Sequence, residues 1–194
     1  AFYSAIIALI GVLVGYFYTA KPIRLSSRYG LGELSIFLSF GPLLTLGTGF
    51  AIANETILLY SSEFYNLLIL GVPIGLLTTN ILFINQYPDH ASDKKVGKNH
   101  LVVLLGKKAS RWIYGLNLIL ALGSLYFIEE TILIGTKQML FLYLLIPIAM
   151  FYSYFLLSGL FKYYNSRKLI KYNIHTIYFH MLFSFIYMII LANF

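Results

Sequence analysis

Asn85-Gln-Tyr-Pro-Asp89-His-Ala-Ser-Asp93-Lys-Lys-Val-Gly97-Lys98 decides how this chain is read. It closes an apolar run, roughly residues 66–86, that is long enough to cross a hydrocarbon core as a helix. Polar groups crowded at the end of such a run mark a membrane surface, because a carboxylate at the bilayer centre costs about 2.5–3.5 kcal/mol. Asn85, Asp89 and Asp93 recur every four residues and share one face of a continuous helix. Two carboxylates held there suit a divalent cation, and Mg²⁺ in particular takes one or two carboxylates together with phosphate oxygens. Lys94, Lys95 and Lys98 stand beside them to neutralise remaining phosphate charge. Pro88 disfavours helical geometry in Tyr87, so the sequence predicts a break just before Asp89 and a weaker claim for Asn85 on the shared face.

The rest of the chain supports the membrane reading. Of its 194 residues 59% are hydrophobic and 11% charged, whereas soluble domains carry about 25% charged residues. Six apolar runs, roughly 1–18, 34–53, 66–86, 112–128, 138–160 and 173–194, predict an all-α, polytopic transmembrane helix bundle in a single domain spanning residues 1–194. The first run has no basic leader and ends in Tyr16-Phe17-Tyr18, so it reads as a span and not a signal peptide. Gly11-x-x-x-Gly15 and Gly71-x-x-x-Gly75 read as sites of close helix approach, and Pro73 and Pro147 as kinks within their spans. The absence of cysteine excludes disulfides, thiolate metal sites and cysteine nucleophiles.

The net charge of +7 does not imply nucleic acid, because the cations sit in short loops between spans and not on a basic face. Lys21, Arg24 and Arg28 lie in the first loop, Lys94, Lys95, Lys98, Lys107, Lys108 and Arg111 in the third, and Lys162, Arg167, Lys168 and Lys171 in the fifth. Thirteen of the 14 basic residues thus fall in odd-numbered loops, which the positive-inside rule places in the cytoplasm with both chain ends outside. The even loops carry Glu55, Glu63, Glu129, Glu130 and Lys137. The fifth loop has no acid, and its cations read as topology anchors alone.

The first loop runs Tyr18-Thr-Ala-Lys21-Pro-Ile-Arg24-Leu-Ser-Ser-Arg28-Tyr-Gly30-Leu-Gly32-Glu33. Its three cations share a side with the aspartates, so both loops can meet one diphosphate, with arginine offering paired contacts. Glu33 either touches that ligand or favours the start of its own helix by its charge. Gly97-Lys98 is not a phosphate-binding P-loop: Ser92 stands where the upstream glycine is required and Asn99 where Ser or Thr is required. His90 and His100 read as loop residues. His175 and His180 read as hydrogen-bonded packing groups, and Asn80 as a cavity residue or a bond between helices.

Asn85-x-x-x-Asp89-x-x-x-Asp93-x-x-x-Gly97-Lys98, continuing through Leu101 to Gly106, resembles the second aspartate motif of the UbiA superfamily of intramembrane aromatic prenyltransferases. Tyr18-Thr19, Pro22, Leu25, Gly30-Leu-Gly32-Glu33 and Phe40-Gly41-Pro42 are similar to the 1,4-dihydroxy-2-naphthoate prenyltransferases of menaquinone synthesis. The resemblance implies that Asp89 and Asp93 hold Mg²⁺ on a polyprenyl diphosphate and that Asn85 assists. It implies too that Lys21, Arg24, Lys94 and Lys98 contact phosphate oxygens, and that Tyr18 lies near the reacting carbon. That family has nine helices and an earlier N-D-x-x-D motif for another Mg²⁺. No Asp precedes residue 85 here, so the expectation is six spans, helices four to nine, with the amino-terminal third missing.

The implied reaction is transfer of a polyprenyl group to an aromatic acceptor, a partner set of prenyl diphosphate, acceptor and membrane lipid without nucleic acid. Two other classes are weighed against it. A CDP-alcohol phosphotransferase requires an upstream Asp-Gly and Ala-Arg signature, absent here, and a glycine where Asn85 stands. An inactive fragment, partner subunit or small transporter would lack a complete catalytic site, although a transporter places its acids nearer mid-bilayer.

Overall fold

Backbone amides in hydrocarbon must be satisfied within their own segment, and these apolar runs accordingly coil into helices. The computed structural model describes residues 2–53, 59–131 and 136–192. Glu55 and the side chain of Lys137 lie outside the described residues. The order is α1 (Phe2–Thr19), a 3₁₀ turn (Leu25–Ser27), α2 (Leu31–Phe40), α3 (Pro42–Ile52), α4 (Ser62–Lys95), α5 (Leu101–Thr131), α6 (Thr136–Tyr163) and α7 (Leu169–Ala192). Six of these segments are long and apolar enough to cross a membrane, with Leu31–Ile52 counted as one.

Helix α4 organises the bundle, packing on α2, α3, α5 and α7, while α6 packs on α5 and α7. Its inner face buries Phe83, Ile84 and Tyr87 against Tyr114 and Leu118 of α5 and Phe179 and Phe183 of α7. Ser61 caps its start by accepting from the Phe64 amide, and Glu63 and Lys94-Lys95 place charges that complement its dipole at either end. The break predicted at Pro88 does not occur. Helix α4 runs unbroken through Pro73 and Pro88 for 34 residues: each proline removes one backbone bond, and packing on four neighbouring helices holds the axis together.

The second span, expected as one run, is broken at Gly41, with Pro42 opening α3 where its missing amide hydrogen is not needed. This break is seated on α4. A Cβ on Gly71 would lie 2.4 Å from the Gly41 carbonyl carbon, and one on Gly75 2.5 Å from the Phe37 carbonyl oxygen. The Thr45 hydroxyl fixes the contact by donating to the Leu67 carbonyl at 2.7 Å. Gly71-x-x-x-Gly75 is thus a close-packing device, as expected, whereas Gly11 and Gly15 meet nothing within 4 Å among the described residues. Helix α5 starts earlier than its apolar run suggests and kinks at Gly106.

The polar residues inside the spans serve packing. Asn80 donates to the Tyr114 carbonyl and accepts from Asn117, His180 bonds Thr78, and His175 bonds Tyr152.

Two ties draw the first and third loops together. The Asn99 amide donates to the Ser27 carbonyl at 3.1 Å. Glu33, only 4% exposed in the first turn of α2, accepts at Oε1 from the Gln86 amide of α4 and from the Leu101 amide that opens α5, each at 3.0 Å. Glu33 therefore caps α5 and not its own helix.

Two stability outcomes follow from these contacts in the intact protein. Gly71→Val should cost about 1–3 kcal/mol by overpacking and lower the melting temperature in detergent, while Gly123→Ala, with open space around it, should not. Glu33→Ala orphans two buried donors at about 1–3 kcal/mol each. It should lower the melting temperature and speed hydrogen exchange at Leu101, more so than Glu33→Gln.

Candidate active site

With Pro88 accommodated, the last turns of α4 carry Asn85, Asp89 and Asp93 on one face, all three lining a cavity of about 310 Å³. Tyr18 and Thr19 from the end of α1, Arg24 and Ser26 from the first loop, and Leu82, Gln86, Lys98 and His100 complete it. Residues of the first and third loops thus line one cavity.

Gly97 governs the return of the chain. It takes a left-handed conformation (φ 74°) just past α4, and the Lys98 amide bonds back to the Asp93 carbonyl at 3.0 Å. This reversal carries the Lys98 side chain over the helix end, where Nζ pairs with Asp93 Oδ1 at 2.8 Å. The dipeptide that superficially suggested nucleotide binding is a helix terminator.

His100 is not a solvated loop residue. It is 2% exposed and sits at the mouth of α5, where its Nδ1 accepts from the Val103 amide at 3.3 Å. An amide can only donate, so Nδ1 carries no proton and Nε2 does, donating to Asp93 Oδ2 at 3.1 Å. Both oxygens of Asp93 are therefore held, one by Lys98 and one by His100. Asp89, one turn earlier, is exposed, and among the described residues its carboxylate has no partner.

The other expected residues separate into two groups. Arg24 lines the cavity. Asn85 does too, and it accepts at Oδ1 from Asn173 of α7, so its NH₂ group is what it can offer a ligand. Lys21 and Lys94 are exposed and outside the lining. Arg28 is turned into its own loop, donating from Nε to the Ile23 carbonyl at 2.6 Å and from Nη2 to the Pro22 carbonyl at 2.8 Å. Glu33 stands behind Gln86, on a separate apolar cavity of about 240 Å³ with Leu34, Phe37 and Phe83.

Gln86, His100 and Asn173 are the polar residues the sequence reading passed over. Gln86 carried a usable signal, since it precedes Asp89 by three and Asp93 by seven and so shares their helix face. His100 and Asn173 carried none, because each reaches α4 from another element.

No group of three or more metal-binding side chains occurs among the described residues. What the cavity offers is two carboxylates one helical turn apart, one free and one braced, facing Arg24. That donor set fits a divalent ion shared with phosphate oxygens better than an ion caged by protein alone.

Comparison with known proteins identifies the family. The UbiA prenyltransferase family model matches residues 1–188. The chain is similar to a 2-carboxy-1,4-naphthoquinone phytyltransferase of Synechocystis sp., 35% identical over 125 residues that make up 63% of this chain and 37% of that protein. It is also similar to the 1,4-dihydroxy-2-naphthoate octaprenyltransferases of Bacillus subtilis, at 29% over 110 residues (57% and 33%), and of Escherichia coli, at 37% over 82 residues (42% and 24%). The matched stretches span about a third or less of the length of these relatives. No solved structure matches the chain significantly. Since the family model extends from residue 1 to residue 188, through every element that lines the cavity, this multi-pass membrane protein belongs to the UbiA prenyltransferase family.

Proposed function

We propose that the cavity at the end of α4 holds the diphosphate of a polyprenyl diphosphate while its prenyl group passes to an aromatic acceptor of the 1,4-dihydroxy-2-naphthoate class. The observation that carries this reading is the convergence of Asp89, Asp93, Lys98 and Arg24 with Tyr18 on one cavity at the end of six apolar spans. The names of the relatives support the naphthoate acceptor.

In this reaction the allylic C–O bond breaks, the diphosphate leaves with the electron pair, and a ring carbon of the acceptor captures the prenyl cation and then loses its proton. Asp89 and Asp93 are the residues that would hold Mg²⁺, which supplies charge neutralisation to the diphosphate. Arg24 opposes the same charge from the first loop, and the Asn85 NH₂ group and Lys98 can donate to phosphate oxygens. Lys98 and His100 hold Asp93 in place beforehand, so Asp89 is the carboxylate free to meet the ion. Tyr18, at the end of α1, stands on the cavity wall where the prenyl carbon would lie. The concentration of basic residues in these loops supports a cytoplasmic position for this cavity.

Diphosphate release from a polyprenyl diphosphate by the intact protein, given dihydroxynaphthoate, should require Mg²⁺ and stop on chelation. Asp89→Asn should lower kcat/KM by about 10²–10³, the loss typical of removing one transition-state electrostatic contact; wild-type turnover in this variant would sink the assignment. Lys98→Ala should cost far more activity than Lys94→Ala, which lies outside the cavity.

His100→Ala should raise the Mg²⁺ concentration for half-maximal activity by about 10–100-fold, as loss of a ligand-orienting partner does. Mn²⁺ binding followed by electron paramagnetic resonance should weaken in parallel, and His100→Gln, which keeps a donor, should recover part of it. An unchanged metal requirement in His100→Ala would show that His100 only caps α5.

A further inference from the structure

At Pro88 near the α4 end lies a second, larger cavity of about 500 Å³ that the prenyl-transfer reading does not use. Its cations are Lys107 of α5 and Arg167 of the α6–α7 loop, sixty residues apart in sequence, and its neutral polar groups are Asn165 and Ser166. Pro88 and Ile170 supply apolar wall. No carboxylate lines it, and among the described residues neither Lys107 nor Arg167 forms an ion pair.

We propose that this cavity binds the phosphate of an anionic phospholipid headgroup. Two unpaired cations on one cavity repel each other, and an anion between them removes the penalty. Other cations of this end are already engaged: Lys98 pairs with Asp93, and Arg111 stacks between Phe161 and Tyr164 at 4.4 and 4.3 Å from the ring centroids.

The cavity is also built in advance of a ligand. Arg111 Nη1 donates to the Phe161 carbonyl at 3.0 Å, and the stacked Tyr164 ring forms part of the wall. The loop behind it is pinned by the Ser166 amide on the Tyr163 carbonyl at 2.8 Å and the Leu169 amide on the Ser166 carbonyl at 3.0 Å. A cation that merely anchors topology needs no such fixed cavity.

Position selects a lipid over a soluble phosphate. The cavity lies where α6 ends at Tyr163 and α7 begins at Leu169, both membrane-spanning helices, and so at headgroup depth. From it Ile170 and, one turn on, Ile174 present exposed apolar surface along α7, 55% and 45% exposed, for glycerol and acyl carbons to follow. Paired cations near an anionic membrane surface have this recognition chemistry.

The intact protein, reconstituted into nanodiscs of equimolar phosphatidylcholine and phosphatidylglycerol and released for native mass spectrometry, should retain phosphatidylglycerol preferentially. The double variant Lys107→Ala/Arg167→Ala should lose that preference by about thirtyfold, the scale expected for two cations at a lipid surface, with its melting temperature unchanged because neither side chain holds the fold. Lys168→Ala/Lys171→Ala, removing two cations of the same region outside the cavity, should keep the preference. Equal losses in the two double variants would mean diffuse attraction and overturn the site, as would wild-type protein showing no preference. If inorganic pyrophosphate binds the delipidated protein and only Lys107→Ala/Arg167→Ala abolishes this, the occupant is a soluble phosphate and the lipid assignment falls.

Discussion

The carboxylate of Glu33 is the point on which the active end of the molecule depends. A buried polar group is stabilised when it is hydrogen-bonded, and Glu33 Oε1 finds two donors, the Gln86 side chain and the first amide of α5, while Oε2 is buried without a partner among the described residues. The start of α5 needs an acceptor as much as Glu33 needs a donor, since its leading amides have no partner within the helix and carry partial positive charge. The exchange locks α2, α4 and α5 at one place. Because Leu101 is fixed, His100 immediately before it is fixed, and with His100 one oxygen of Asp93. A residue that does not line the aspartate cavity thereby sets the orientation of one that does.

The aspartate pair is consequently asymmetric. Asp93 has little freedom, braced from one side by a cation and from the other by a neutral imidazole whose second nitrogen is tied to the backbone. Asp89 is exposed. Bracing one carboxylate lowers the entropy lost when a ligand is bound, and leaving the other free lets the site accept an ion that arrives with its own phosphate oxygens. In the proposed reaction the ion would be shared with a diphosphate that enters and leaves, a role that a rigid cage of protein ligands would suit poorly.

Sequence made the spans and the four-residue aspartate spacing legible because both depend on local periodicity and on the thickness of a bilayer. It misjudged Pro88, because a local preference at Tyr87 is weaker than the packing of a long helix on four neighbours. Gln86 and Asn173 went unread and His100 was taken for a loop residue for a different reason: His100 and Asn173 meet the aspartate face from another element, and Gln86 looked like the polar end of an apolar run. Arg28 shows the converse. Its charge suggested a ligand, yet its nearest acceptors are carbonyls of its own loop, a pairing that spacing does not predict.

The distribution of cations at this end therefore has more than one physical cause. Membrane topology explains why they are concentrated in three loops, but not what each one does once folded. Arg28 and Arg111 are consumed by loop carbonyls and aromatic faces, while Lys98 pairs with Asp93 and still faces the cavity. Arg24 faces the cavity that contains carboxylates, whereas Lys107 and Arg167 face one that contains none. That difference decides what each cavity can hold. Carboxylates among cations favour a phosphate that comes with a metal, and cations alone favour a phosphate that comes without one, so the presence of Asp89 and Asp93 in one cavity and of no carboxylate in the other is the chemical difference on which both proposed assignments rest.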